Sequence, residues 1–202
     1  MTDSFDKKTL EFYSGSAETY LAERPETISR HLRDFLKRLP PRASILELGC
    51  GSGRDSEAMI ASGFQVDPTD GVPEIAHIAS QRLGRDVRVM RFDELNASEQ
   101  YDAVWANASL LHVPRNELPK VLGLIFRALK PGGLHFASFK AGEAEGRDER
   151  DRFYNYLTRP EMLSLYKRSA AWENVATVEY VGGGSYEVKE EPWLAITVRK
   201  PR

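Results

Sequence analysis

Cysteine, excess positive charge and long apolar segments are all scarce in this sequence of 202 residues. The single cysteine, Cys50, excludes a disulfide framework and a cysteine-based zinc cluster, and no metal site is predicted. No apolar segment approaches the roughly 18 residues that a membrane span needs, so no membrane partner is expected. The N-terminus also lacks the apolar core of a signal peptide, which predicts a cytoplasmic protein.

The charges are nearly balanced, with 28 basic and 30 acidic residues and a net charge of −2. Proteins whose main partner is nucleic acid usually carry a basic excess, so no nucleic-acid partner is expected. The hydrophobic content of 41% and the charged content of 29% are typical of a soluble globular protein. The length is sufficient for one domain with a substantial core.

Short apolar segments alternate with helical patterns over most of the chain. The predicted strands cover 44–48, 64–70, 87–90, 101–106 and 134–139, and the predicted helices cover 26–39, 54–62, 73–83 and 118–129. Strands that are separated by helices form βαβ units and a mostly parallel sheet. The last sixty residues differ: a charged loop at 141–152 and a helix at 160–168 precede strands at 175–181 and 193–198. The glycines 182–184 between these two strands predict an antiparallel hairpin.

The most informative segment is Ile45–Asp55, ILELGCGSGRD, in which three glycines follow a short apolar strand. A strand, a glycine-rich turn and a helix N-terminus together are typical of the nucleotide-binding corner of an α/β sheet. Arg54 interrupts the dinucleotide fingerprint G-x-G-x-x-G, and the phosphate loop is absent. Two acids, Glu47 and Asp55, flank the glycines and would repel a pyrophosphate. The segment therefore favours a ligand with hydroxyl groups and a positive charge.

The segment Glu47–Gly53 resembles the first motif of the class I S-adenosylmethionine-dependent methyltransferases. Asp70 follows Gly49 by 21 positions, a spacing that fits an acid binding ribose hydroxyls. The family places adenine contacts after its third strand, here Arg91–Glu94, and the methionine half of the cofactor after its fourth, here Trp105–Ala108. The segment ALKPGG before the fifth strand matches a further family signature. The resemblance extends over nearly the whole chain.

This resemblance implies a Rossmann-like α/β fold, doubly wound around a mostly parallel sheet of seven strands. Residues 1–202 are expected to form a single domain, with a helical cap (1–40), a cofactor-binding core (41–140), and a lid with the antiparallel hairpin (141–202). S-adenosylmethionine, with S-adenosylhomocysteine as product, is the implied cofactor. Its predicted contacts are Tyr13, Tyr20, Glu47, Gly49, Cys50, Gly51, Gly53, Arg54, Asp55, Asp70, Gly71, Phe92, Asp93, Ala106, Asn107, Ala108 and Leu111.

Within the family, the segments GCGSGRDS and WANASLLHVP are similar to small bacterial enzymes near the tellurite-resistance methyltransferases. Tyr13 and Tyr20 resemble the leading Tyr…Ala…Tyr segment of that group, which folds over the cofactor. Their spacing of seven residues would place both on one helical face. His112 and Tyr13 are the candidate catalytic residues, and the aromatic residues of 153–156 are candidates to close over a substrate.

Several of these residues also have a structural interpretation. The three glycines could form an ordinary tight turn, and Asp70 and Asp93 could cap helices. Asp55 would favour the dipole of the helix that it begins, and Cys50 could be a small packing residue. The aromatic residues Tyr13, Tyr20 and Phe92 could belong to the core. A single histidine in an apolar segment, such as His112, is often structural.

The predicted reaction is in-line displacement of the methyl group from the sulfonium to a small-molecule acceptor. Enzymes of the family that methylate exocyclic amines of nucleic acid carry Asn/Asp-Pro-Pro-aromatic after the fourth strand. The corresponding residues 107–110 contain no proline, which favours a small acceptor. The alternatives are a non-catalytic protein that binds S-adenosylmethionine and, with less support, a nicotinamide-dependent oxidoreductase.

Overall fold

The helices and strands are taken from a computed structural model, which describes residues 4–23, 26–183 and 190–202. The helices are α1 (Lys7–Gly15), α2 (Ala17–Ala22), α3 (Leu32–Leu36), α4 (Arg54–Ala61), α5 (Pro73–Leu83), α6 (Leu118–Ala128) and α7 (Arg159–Ser169). The strands are β1 (Ser44–Leu48), β2 (Gln65–Asp70), β3 (Arg88–Val89), β4 (Tyr101–Ala106), β5 (Leu129–Lys140), β6 (Glu145–Arg147), β7 (Phe153–Asn155), β8 (Glu173–Gly183) and β9 (Glu190–Arg199). Short 3-10 helices at Phe92–Glu94 and Leu110–His112 follow β3 and β4.

Within the described residues, seven strands form one sheet in the order β3-β2-β1-β4-β5-β9-β8. Strands β1 to β5 pair in parallel, whereas β9 pairs antiparallel with both β5 and β8. The order reverses between β1 and β4, and such a reversal opens a crevice beyond the carboxyl ends of the strands. The prediction of a Rossmann-like, mostly parallel sheet with an antiparallel C-terminal pair is confirmed.

Helices cover both faces of the sheet because its central strands are apolar on both sides. On one face, α6 and α7 pack on Leu46, Leu48 and Val104. On the other face, α3 and α4 pack on residues of alternate strand positions, including Ile45 and Trp105. The period of two along each strand therefore divides the core into two layers.

The N-terminal helices pack against α5 rather than against the sheet. Tyr20 and Leu21 form a cluster with Val72 and Ile75 near the start of α5. Helix α1 begins after Asp6, whose side chain accepts a hydrogen bond from the Thr9 amide at 2.8 Å, as an N-cap residue does. The predicted helical cap is thus confirmed. It consists of two helices because the helical conformation is interrupted at Ser16.

The predicted elements at 26–39 and 141–152 differ most from the structure, and the predicted fifth strand begins earlier, at Leu129. The helix predicted at 26–39 is limited to α3, and the amide of Ser29 before it donates instead to Asp55 Oδ1 at 2.8 Å. The apolar residues of that pattern nevertheless face the core. The loop predicted at 141–152 contains β6, which pairs with β7 in an antiparallel ribbon. This strand was not predicted because charged side chains in a sequence are typical of a solvated loop.

The predicted C-terminal hairpin is present as the antiparallel pair β8 and β9, with Gly183 opposite Glu190. Gly184, which belongs to the predicted turn, lies outside the described residues. Among the helices of the described ranges, none is both long enough and apolar enough to cross a bilayer.

Candidate functional site

A cavity of about 110 Å³ lies in the crevice beyond the carboxyl ends of β1, β2 and β4. The predicted site residues in its lining are Tyr13, Tyr20, Gly49, Gly51, Asp70, Gly71, Phe92, Asn107, Ala108 and His112. Arg91, which belongs to the predicted adenine-contact segment, also lines it, as do six residues that were not predicted: Phe5, Thr9, Leu10, Val72, Ile75 and Ser109. Leu10 precedes Tyr13 by three positions, and this helical spacing was a signal that could have found it.

The main chain of the glycine-rich turn lies directly at the cavity. The amides of Gly49 and Cys50 both donate to the Thr69 carbonyl at 2.9 Å, which ties the turn to the end of β2. Gly49 has φ 74°, and a side chain at this position would place its Cβ 2.6 Å from the Cβ of Ser109. Both the backbone conformation and the close approach of the β4 loop therefore require glycine here.

Asp70 is the acid that faces the cavity. Its two carboxylate oxygens accept hydrogen bonds from the amides of Gly51 and Val72, at 3.1 and 3.0 Å. Each oxygen of a carboxylate has two lone pairs and can accept more than one hydrogen bond, including one from a hydroxyl donor of a ligand. Asp70 is thus fixed in orientation beside the glycine turn.

The acids that flank the glycines lie outside the lining. Glu47 is buried and accepts a hydrogen bond from Ser56 Oγ. Burial and the neighbouring charge of Asp55 raise the pKa of Glu47 well above its usual range. Asp55 accepts hydrogen bonds from the Ser29 amide and from Trp105 Nε1 at 2.9 Å, so its carboxylate links three parts of the core. The hydrogen bonds of both acids thus go to residues outside the cavity lining.

Other predicted contacts also lie outside the lining. Gly53 is the N-cap residue of α4, directly before Arg54, and lies next to Leu83. Cys50 is buried, and burial raises the pKa of its thiol. In the 3-10 helix after β3, Asp93 accepts a hydrogen bond from Arg91 Nε at 3.3 Å. The remaining residues outside the lining, Ala106 and Leu111, are buried in the core.

The loop after β4 is held in an unusual conformation. Ala108 has φ 51°, in the left-handed region that residues other than glycine seldom adopt. Ser138 Oγ accepts from the Ala108 amide at 2.8 Å and donates to Asn107 Oδ1 at 2.9 Å. The Asn107 amide group in turn donates to Ser29 Oγ at 2.7 Å. This network fixes the loop where it borders the cavity.

Tyr13 and His112 meet at one side of the cavity. The rings of Tyr13 and Tyr20 are in edge contact, with centroids 4.9 Å apart, so the two tyrosines share a face as predicted. His112 Nδ1 lies 2.6 Å from the Phe153 carbonyl and must donate to it. The neutral ring then has an unprotonated Nε2, which accepts from the Tyr13 hydroxyl at 3.0 Å. Burial lowers the pKa of His112 to about 4, so the ring is neutral at pH 7.

Arg152 completes this cluster and was not predicted. Its guanidinium is buried, paired with Asp148 at 2.6 Å, and donates through Nη1 to the Tyr13 hydroxyl at 3.3 Å. It also lies over the ring of Tyr154, which contacts His112. The charged loop predicted at 141–152 gives no indication of a buried arginine, and the aromatic residues that follow it are the signal of burial in the sequence.

Comparisons with known proteins show the family to which this fold belongs. Residues 20–170 match the family described as "Methyltransferase domain". Because this match covers most of the sequence, the chain belongs to that family. The predictions of a Rossmann-like fold and of an S-adenosylmethionine-dependent methyltransferase domain are thereby confirmed. The nicotinamide-dependent alternative receives no support from this match.

Individual relatives are more distant. Ubiquinone biosynthesis O-methyltransferase from Xanthomonas campestris pv. campestris is 35% identical over 105 residues, which are 48% of this chain and 43% of that protein. The chain therefore matches a little under half the length of such curated relatives. A crystal structure of 1,6-didemethyltoxoflavin-N1-methyltransferase from Burkholderia thailandensis contains 1,6-didemethyltoxoflavin and S-adenosylhomocysteine. It is 22% identical with a TM-score of 0.68, covering 94% of this chain and 80% of that one. The structure of a methyltransferase from Methanosarcina mazei is 17% identical with a TM-score of 0.75, covering 86% of this chain and 98% of that one. Both structures share the fold.

Proposed function

We propose that this chain transfers the methyl group of S-adenosylmethionine to a small-molecule acceptor, and that its residues act as a single domain. The observation that carries the proposal is the position of Asp70, an oriented carboxylate in a cavity that is also lined by the main chain of Gly49 and Gly51. A carboxylate suits ribose hydroxyls, whereas it would repel a phosphate placed at the same turn.

The lining divides into parts that suit different parts of the cofactor. Asp70 and Gly71 would hold the ribose, Phe92 would pack on the adenine, and Asn107 with Ala108 would border the methionine half. Tyr13 and Tyr20 would cover the nucleoside from the helical cap. Glu47, Asp55 and the other predicted contacts outside the lining would act by supporting the turn.

The cavity is smaller than the ligand that we propose for it. Binding pockets for small molecules and cofactors usually enclose about 300–1,000 Å³, against about 110 Å³ here. The residues that narrow it include Thr9, Leu10 and Tyr13 of α1. We therefore expect α1 to move outward when the cofactor enters and to close again over it.

The sulfonium of the cofactor supplies a methyl group that is already activated. The chain then needs mainly to align the acceptor with that methyl group, an orientation effect that can remove several kcal/mol from a barrier. Tyr13 and His112 are the proposed catalytic residues on the acceptor side. With a pKa of about 4, His112 is a weak base, so we propose that the Tyr13–His112 pair orients the acceptor, and that proton removal matters only for acceptors with a labile proton.

Several observations support a small acceptor over nucleic acid. The net charge is −2, and the loop after β4 lacks the proline tetrad of enzymes that methylate exocyclic amines in nucleic acid. Two relatives are named for methylation of small molecules, one at oxygen and one at nitrogen. The acceptor atom therefore stays open among oxygen, nitrogen and sulfur. The similarity of GCGSGRDS to the tellurite-resistance group adds metalloid acceptors.

The test is turnover of radiolabelled S-adenosylmethionine with a panel of phenols, amines, thiols and metalloid oxyanions, with tRNA and DNA as separate arms. We expect transfer to at least one small acceptor and none to nucleic acid. Turnover restricted to tRNA or DNA would contradict the proposal. Tight cofactor binding without consumption in any arm would favour the non-catalytic alternative instead.

A further inference from the structure

Ser109 is a buried serine whose hydroxyl is not used by the fold. It precedes the 3-10 helix Leu110–His112, in the N-cap position where serine usually accepts a hydrogen bond from the helix. Here its side chain makes no capping bond. Ser109 is 6% exposed, and its Oγ has no hydrogen-bond partner in the described part of the chain. A buried hydroxyl without a partner is destabilising, so the position requires a reason.

The surroundings of Ser109 place that hydroxyl in the candidate site. A side chain at Gly49 would lie with its Cβ 2.6 Å from Ser109 Cβ and 3.4 Å from its Oγ, so the two loops are in direct contact. Ala108, directly before Ser109, has a left-handed backbone conformation. Ser109 consequently lines the cavity together with Gly51 and Asp70.

We propose that the Ser109 hydroxyl is a further cofactor-binding group, which forms a hydrogen bond with S-adenosylmethionine when the cofactor is bound. This inference rests on the proposed function. The cofactor carries hydroxyl, ammonium, carboxylate and ring-nitrogen groups, and a hydroxyl can donate to or accept from any of these. Ser109 thus contributes to affinity and not to the stability of the ligand-free fold, which explains a serine where the fold has no use for its hydroxyl.

The substitution Ser109→Ala tests this with two readouts of opposite sign. It removes an unpartnered hydroxyl from the ligand-free protein but a hydrogen bond from the complex. We expect the ligand-free melting temperature to be at least that of the wild type and up to about 2–4 °C higher. Calorimetric titration should give a Kd for S-adenosylhomocysteine that is about tenfold weaker.

Ser80→Ala is the matched control. Ser80 is a partly buried serine on α5, outside the cavity, whose Oγ donates to the Ala76 carbonyl and accepts from the Val87 amide. We expect this variant to melt at a lower temperature and to keep wild-type affinity. The inference is overturned if Ser109→Ala binds as tightly as the wild type, or if it lowers the melting temperature as Ser80→Ala does. If the wild-type protein does not bind S-adenosylhomocysteine, the proposed function itself is overturned.

Discussion

His112 is kept neutral by its position between Tyr13 and the Phe153 carbonyl. Burial lowers its pKa to about 4, while the same side chain in the unfolded chain titrates near its ordinary value of about 6.5. Between these values the unfolded state binds more protons than the folded state. The contribution of His112 to stability is therefore fully present above pH 6.5 and is lost as the pH falls toward 4.

The substitution His112→Gln should make stability less dependent on pH. The slope of the unfolding free energy against pH measures how many more protons the unfolded state binds than the folded state. Between about pH 4.5 and 6, we expect this difference to be smaller than in the wild type by up to about one proton. Urea unfolding at several pH values measures this slope. Tyr13→Phe is the control, since it removes the hydrogen bond to Nε2 but keeps the ring that buries His112. A His112→Gln slope equal to that of the wild type would contradict the assignment.

The acids show how far single residues could be predicted. Asp70 was predicted at the ligand and lies in the cavity, because the end of β2 is fixed by the fold itself. Asp55 was predicted as a cofactor contact because it is close to the glycines in sequence. In the structure its carboxylate accepts hydrogen bonds from Ser29 and Trp105 instead. A residue next to a motif in sequence can have its side chain directed away from the ligand. The Trp105 partner of Asp55 could not be predicted because it is 50 positions further along the chain.

At the scale of whole elements, the ribbon of β6 and β7 is fastened to α1. Arg147 Nη2 lies 2.6 Å from Asp6 Oδ2, and Lys8 Nζ lies 2.7 Å from Asp151 Oδ2. The Phe153 amide also donates to Thr9 Oγ1 at 2.8 Å. Since α1 carries Tyr13 and Thr9 into the cavity lining, these contacts should hold the cap closed over a bound cofactor.

Arg147→Met removes one of these links without disturbing Asp6 as the N-cap of α1. Exposed ion pairs are worth about 0.2–1 kcal/mol, so we expect dissociation of S-adenosylhomocysteine to become up to about fivefold faster. Added salt should reduce this difference, because it screens the wild-type pair. Stopped-flow displacement gives the rate.

Lys7→Met is the control for the ribbon contacts. Lys7 pairs with Glu11 at 3.4 Å within α1, where both side chains are exposed. We expect its dissociation rate to match that of the wild type. Equal rates for Arg147→Met and Lys7→Met would mean that the ribbon does not hold the cap.

Elements were predictable where one apolar period decided the structure. The pattern at 118–129 gave α6, whose Leu118, Val121 and Ile125 are all buried. The ribbon was not predictable, since its strands are only three residues long and β6 carries two charged side chains. It is held by ion pairs to α1 and by pairing between its own strands, neither of which has a local apolar signature.

At the scale of the whole molecule, the proposed function depends on one crevice at the point where the strand order reverses. The cap and the loop after β4 both line the cavity that contains Asp70, and the ribbon contacts Thr9 and His112 of that lining. The topology and the glycine turn were predictable because both follow from local patterns. The cluster of Arg152 with Tyr13 was not, because its members are 139 positions apart and meet only in the folded chain.

The measurement that tests the central claim is calorimetric titration with S-adenosylhomocysteine, with NAD as the comparison ligand. We predict that the wild type binds S-adenosylhomocysteine and not NAD, and that Asp70→Asn weakens binding about ten- to a hundredfold. Asp86→Asn, an equal charge change at an exposed residue, should leave the affinity unchanged. A wild-type protein that does not bind S-adenosylhomocysteine, or an Asp70→Asn variant that binds it equally well, would contradict the account.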